Sequence, residues 1–268
     1  NFTKPKVIAR LPGQSAIGHN RYSTTGGEGM RNVQPFFADF AGGGFAVAHN
    51  GNLTNASAIM RQLQKRGAIF QSTSDTEVIL HLIAMSEKTA LVDRLTDAVT
   101  QLEGAFSLVA LSGKKMIGCR DALGIRPLVL GDVDGSYVLA SETCALDIIG
   151  ARHVRDIKPG ELVVVTDQGI ESYFPFGELE KPRFCVFEYV YFARPDSHVQ
   201  GQNVYNVRKR IGEELARESP CDADMVVPVP DSGTPAAIGP VTLSVVACAG
   251  VARIRSPTPA NTTSESSR

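Results

Sequence analysis

Apolar residues recur along this chain in two rhythms, one of strands and one of helices. In "GGGFAVAHN", residues 42–50, an extended apolar run stops at His49, and the Asn50-Gly51 pair behind it is a turn signal. Asn55 to Lys65 then places Ile59, Met60 and Leu63 at helical spacing, with Gly67 as the stop. In "STSDTEVILHLIAMSEK" Ser74 and Glu77 stand three apart before a run that is apolar on most sides, the pattern of a capping box opening a buried helix. A third helix is predicted around Val92 to Leu102. From there to Glu142, short β-rich runs divided by Ser-Gly, Leu-Gly and Asp-Gly predict an antiparallel meander, and "IKPGELVVVTDQGIESYF" predicts a further hairpin. Two layers of sheet with helices outside them account for this order of elements.

After Pro175 the pattern changes. "RFCVFEYVYFARPDS" is aromatic and strand-like, "VYNVRKRIGEELARES" is a charged helix, and "ADMVVPVPDSGTPAAIG" runs apolar strand, loop, incipient helix, the βα order of a parallel nucleotide-type sheet. Beyond Gly239 periodicity fades, and the closing "RIRSPTPANTTSESSR" has a composition that leaves a chain disordered. The expected division is 1–175, 176–239 as the beginning of a second domain, and 240–268 as a disordered tail.

Composition narrows the classes. A chain of 268 residues supports one full core and the start of another, and 43% hydrophobic with 21% charged residues is a soluble, folding composition. The net charge of −1, with Lys and Arg scattered, offers no basic stripe, so nucleic acid is not an expected partner. No apolar run reaches the roughly 18–20 residues of a membrane span, and the opening Asn-Phe-Thr-Lys-Pro-Lys lacks a signal-peptide core, so a cytoplasmic location without membrane attachment is expected. The five cysteines are far apart and form no Cys-x-x-Cys pair, which suggests neither a disulfide framework nor a zinc site and reads most simply as small core residues.

Three features carry candidate chemistry. The Gly51 N–H and the Asn50 carboxamide are donors suited to a developing oxyanion, the plainer reading being a tight turn. Arg21, in "HNRYST", presents a guanidinium fork for a carboxylate with Ser23 or Thr24 assisting; the alternative is a structural ion pair. Asp75 is suited to an ammonium group, although a carboxylate in the first turn of a helix is favoured by the helix dipole in any case. Together they describe a pocket for a free amino acid with a reactive side-chain carbonyl, and glutamine fits.

"GHNRYSTTG", "HNGNLTN", "STSDTE", "GCRDALGIRPLVLG", "SETCALD" and "FEYVYFARPDS" together resemble the amidophosphoribosyltransferase family. The earlier motifs are common to class II glutamine amidotransferases, while "FEYVYFARPDS" and "VVPVPDSG" single out this family. The resemblance covers about Asn1 to Gly239. It implies an α+β protein, with a four-layer αββα N-terminal-nucleophile glutaminase domain followed by the start of an α/β type I phosphoribosyltransferase domain. It also implies that an N-terminal cysteine hydrolyses glutamine and that ammonia then displaces pyrophosphate from phosphoribosyl pyrophosphate, with magnesium, giving 5-phosphoribosylamine at the first step of de novo purine synthesis. Homo-oligomers and control by nucleotides are part of the same implication. Carried over position by position, Arg21 and Thr24 bind the glutamine carboxylate, Asp75 its ammonium, and Asn50 and Gly51 form the oxyanion hole. Ser232 matches a position associated with magnesium, the alternative being a loop hydroxyl. Cys185 matches a ligand of the [4Fe–4S] cluster found in some members, the alternative being a core cysteine.

The sequence also departs from the family pattern. The nucleophilic cysteine belongs upstream of "GHNRYST", where Asn1 opens the chain, and Cys119 and Cys144 lie in the sheet-rich middle. The phosphoribosyl pyrophosphate loop has no counterpart after Gly239, as if a frameshift or misassembled gene end had replaced it. Two readings follow: an enzyme of which this chain is a partial copy, inactive alone, or a non-catalytic module retaining the glutamine pocket. Another class II amidotransferase is a third possibility.

Overall fold

A computed structural model describes residues 9–10, 13–20, 29–40, 42–113, 115–177, 182–221, 225–242, 246–247 and 251–254, which fall into two units, Asn1–Cys185 and Val186–Arg268. Among the described residues of the first unit a 3-10 turn (Met30–Asn32) precedes strands β1 (Phe36–Phe40) and β2 (Gly43–Leu53), which are followed by helices α1 (Ala56–Lys65), α2 (Thr76–Met85) and α3 (Leu91–Val99). Strands β3 (Gly104–Ser112), β4 (Lys115–Arg120), β5 (Val129–Val133) and β6 (Ser136–Ala140) come next, then helix α4 (Thr143–Ile148) and strands β7 (Arg152–Asp156), β8 (Leu162–Thr166) and β9 (Gly169–Tyr173). They form a six-stranded sheet in the order β1-β2-β3-β4-β8-β9 and a three-stranded sheet β6-β5-β7. Every pairing within these two sheets is antiparallel.

The two-residue period of a strand decides the layering. Along β8, Leu162 and Val164 enter a core shared with Leu63 of α1, Val78, Ile79, Leu82 and Ile83 of α2, and Leu95 and Val99 of α3. Val163 and Val165 point the other way and meet Leu128, Leu130 and Ile157. Strand β3 divides likewise, Phe106, Leu108 and Ala110 toward the helices and Val109 toward the small sheet. Within the small sheet Leu130 faces inward, whereas Val129 packs with Leu146 of α4. A strand buried on both faces must be apolar throughout, which is why "LVVV" is continuous rather than alternating. Helices, large sheet, small sheet and helix thus stack as αββα, the fold expected.

Two local expectations fail. Strand β2 does not end at His49; it continues through Asn50-Gly51 in unbroken register with β3, Gly51 opposite Phe106 and Leu53 opposite Gly104. The pair is therefore not a turn. Gly51 (φ +146°) is needed because a Cβ there would lie 2.0 Å from the Ala105 carbonyl oxygen, a close approach of backbones that only glycine permits. Ser74 and Glu77 also do not form a capping box. The Ser74 N–H donates to Ser72 Oγ (3.2 Å), and Glu77 instead accepts from the N–H groups of Gln71 (2.8 Å) and Ser72 (2.7 Å), fastening the loop before α2.

The boundary between the units falls ten residues beyond the expected one, since Phe176 packs on the first core and the Arg183 N–H donates to the Leu123 carbonyl at 2.7 Å. In the second unit the aromatic run is not a strand but a π-helical turn, Glu188–Phe192. Buried Arg208 stabilises it by donating to the carbonyls of Tyr189 (2.6 Å) and Ala193 (2.8 Å). There follow β10 (His198–Val199), β11 (Gln202–Asn203), helix α5 (Val204–Glu218), β12 (Pro220–Cys221), β13 (Met225–Pro228), helix α6 (Gly233–Thr242), β14 (Val246–Ala247) and β15 (Val251–Ile254). The strand-loop-helix order of β13 and α6 is as expected, but β13 pairs antiparallel with β15 rather than in parallel. Strands β14 and β15 lie inside the stretch expected to be disordered, at its valine-rich positions; residues 255–268 are outside the described set.

Candidate active site

The site is built on the open edge of β2 beyond the end of β1, which pairs only as far as Val47. In an antiparallel strand alternate residues turn their N–H away from a given neighbour. At the far side of β3, Phe106 spends its own backbone groups on Asp121, donating to its Oδ2 (3.3 Å) and accepting its N–H (2.8 Å). Gly51, opposite it, thus belongs with the positions that face away from β3. Its neighbours in that set show the direction: the His49 N–H donates to Gln34 Oε1 (2.6 Å), and the Leu53 N–H donates to Asp75 Oδ2 (3.0 Å). The Gly51 N–H is aimed along the same edge, between them.

Asp75 stands at the N-terminus of α2 and is 7% exposed. Burial opposes its charged form, yet the carboxyl is held below its ordinary range by His49 and by the N–H groups of Leu53 and Thr76. At 3.7 Å His49 Nδ1 is too far for a firm hydrogen bond and acts through charge when protonated, so the Leu53 N–H is the bond that positions the carboxylate. His49 Nδ1 also lies 3.2 Å from Thr76 Oγ1, and its Nε2 is buried without a partner among the described residues. A carboxylate has about four acceptor positions, and these contacts leave room for an ammonium donor.

Asn50 projects from the opposite face of the strand to His49, and its Oδ1 accepts from Arg126 Nη2 at 2.8 Å. Arg21 and Thr24 lie outside the described residues. Gly51 and Asp75 are thus brought to one edge, with Asn50 on the adjoining face. Ser232 is half-buried in the turn before α6 of the second unit, and Cys185 is half-buried at the close of the first. Among the described residues no group of three or more His, Cys, Asp or Glu side chains converges as a metal-binding cluster.

His49, Gln34 and Arg126 were not anticipated. A polar residue at a core-facing position between Val47 and Leu53 was the available signal for His49, and the Arg120-Asp121 pair in "GCRDALGIRPLVLG" was the signal for the loop that carries Arg126.

A glutamine amidotransferase domain model matches residues 19–147. The chain is 55% identical over 244 residues to the amidophosphoribosyltransferase of Rhizobium etli, covering 89% of this chain and 49% of that protein. It is 44% identical over 233 residues to that of Bacillus subtilis, covering 87% and 49%. The solved Bacillus subtilis glutamine phosphoribosylpyrophosphate amidotransferase, complexed with ADP and GMP, superposes with a TM-score of 0.79 at 41% identity, over 84% of this chain and 49% of that one. The chain spans about half the length of these relatives. In sequence and in fold the chain is therefore similar, over most of its own length, to amidophosphoribosyltransferases, with a match to a glutamine amidotransferase domain at residues 19–147.

Proposed function

We propose that this chain carries the glutamine site of an amidophosphoribosyltransferase. The observation that carries the reading is the Asp75 carboxylate, buried yet kept ionised and bonded to Leu53 N–H two residues from Gly51 on one strand edge. An amino acid whose ammonium meets Asp75 lies along that edge, and its side-chain carbonyl falls near the Gly51 N–H and the Asn50 carboxamide. Attack on the amide carbon moves an electron pair onto the carbonyl oxygen, and these two donors stabilise that charge before ammonia leaves. Removing one such donor costs about 100–1000-fold in kcat. Arg21 and Thr24 complete the reading as carboxylate binders.

The nucleophile is the N-terminal cysteine that the family implies. Neither buried thiol described here replaces it: Cys119 lies in the helix-side core, where burial followed by Asp121 and Glu161 pushes its thiol far above the ordinary range, and Cys144 lies buried on α4. Transfer of the ammonia to phosphoribosyl pyrophosphate with magnesium near Ser232, homo-oligomerisation and a cytoplasmic setting belong to the whole protein and are proposed with it. No helix among the described residues is long and apolar enough to cross a membrane.

The test is ammonia release from L-glutamine by the purified chain, alone and preceded by a segment that begins with cysteine. Release is expected only from the extended chain, and Asn50→Ala should lower it about 100–1000-fold. Turnover by the chain alone, or an Asn50→Ala variant as active as its parent, would reject the assignment.

A further inference from the structure

A carboxamide can serve an oxyanion only through its NH2 end, so something must decide which end faces the reaction. Here Asn50 Oδ1 accepts from Arg126 Nη2 at 2.8 Å. A guanidinium has donors and no acceptor, so a flipped amide would set NH2 against N–H. The carbonyl end is therefore committed to Arg126 and the NH2 end is directed away from it. Among the described residues no acceptor takes that NH2.

The backbone of Arg126 is itself held on both sides by side chains. Its N–H donates to Asp121 Oδ2 (2.9 Å), and its carbonyl accepts from Arg120 Nε (2.7 Å). Asp121, fully buried, also accepts from Leu123 (3.1 Å) and Ile125 (3.0 Å) through Oδ1. Its Oδ2 reaches Phe106 N–H, the residue opposite Gly51. Arg120 closes the loop by donating to the carbonyls of Gly124 and Ile157, each at 2.8 Å. One buried carboxylate thus ties the loop carrying Arg126 to the strand that faces Gly51.

We propose that Arg126 is a positioning residue for glutamine hydrolysis, holding the Asn50 carboxamide with its NH2 end presented to the developing oxyanion. This rests on the glutamine-site reading above. The bond to Oδ1 also polarises the amide, which makes its N–H groups better donors. Because an oxyanion exists only past the ground state, loss of Arg126 falls on kcat and leaves glutamine binding nearly untouched.

The test uses the cysteine-initiated chain with Arg126→Met, which keeps an unbranched stem and removes every side-chain donor, beside Arg126→Lys and Asn50→Ala. Arg126→Met should lose about 10–100-fold in kcat with KM for glutamine within about threefold of the parent, and Arg126→Lys should recover part of the loss. Should the methionine variant fail to fold, Arg126→Lys decides: kcat lowered several-fold at constant KM supports the assignment, because a point-charge ammonium does not reproduce the planar bond. Unchanged kcat, or a raised KM at unchanged kcat, overturns it. If Asn50→Ala is inactive while the Arg126 variants keep full kcat, positioning fails and the glutamine-site reading survives. If Asn50→Ala is also fully active, both fall.

Discussion

Replacing Gly51 by alanine tests whether β2 owes its passage through the site to backbone proximity. An alanine Cβ at this position would lie 2.0 Å from the Ala105 carbonyl oxygen and 2.9 Å from both the Ala105 carbonyl carbon and Phe106 Cα, where real Cβ contacts essentially never fall under 3.0 Å. The strands must therefore part by about 1 Å at this pair, and the Leu53–Asp75 bond, two residues on and already 3.0 Å long, is strained with them. Together with an unfavourable φ of +146°, we expect a loss of about 3 kcal/mol. For a unit of this size that lowers Tm by about 6–12 °C. Gly113→Ala is the control: its φ of +56° carries the conformational penalty, about 1 kcal/mol, with nothing within 4 Å of the new Cβ. Thermal unfolding of both variants against the parent is the assay. A Gly51→Ala variant melting within about 2 °C of the parent, or no lower than Gly113→Ala, refutes the reasoning.

Two further outcomes follow from buried charges. Because the Asp75 carboxyl is held below its ordinary range in the folded state, its contribution is present above the unfolded pKa and is lost as pH falls through the folded one. Denaturant midpoints of Asp75→Asn and parent should therefore differ most near neutrality and draw together as the pH falls through and below the ordinary carboxylate range, and a gap that stays constant on acidification contradicts the linkage. Glu161, 1% exposed, accepts from Arg155 Nη2 (2.7 Å) and Nη1 (2.8 Å), so Arg155→Met should cost about 2 kcal/mol at neutral pH, moderated because Arg155 is a third exposed and Ser172 and Lys158 N–H remain as donors. An unchanged denaturant midpoint would show that the pair contributes nothing.

The layers were legible because their signals are local. The continuous "LVVV" of β8 and the crowded apolar face of α2 report burial on their own, whatever lies across from them. Asn50-Gly51 misleads for the opposite reason: the same dipeptide suits a hairpin turn and a glycine squeezed against a neighbouring backbone, and what decides is Gly104-Ala105 on another strand. Capping-box spacing at Ser74 and Glu77 fails similarly, because Ser72 competes for the Ser74 N–H. The π-helical turn at 188–192 has strand-like letters, and its carbonyls depend on Arg208 from a later helix. At the site itself, Asp75 and Gly51 were recognisable as chemistry-bearing types. Gln34, His49 and Arg126 were not, since each matters only through a partner distant in sequence.

The glutamine-site proposal makes the edge of β2 the seat of a free amino acid. An NMR titration of the 15N-labelled chain with L-glutamine tests this most directly. Saturable shifts concentrated at the amides of Gly51 and Leu53, absent with D-glutamine and lost in Asp75→Asn, are the predicted result. Amides from His49 to Leu53 that stay unmoved at saturating L-glutamine, or that move equally in Asp75→Asn, would contradict it.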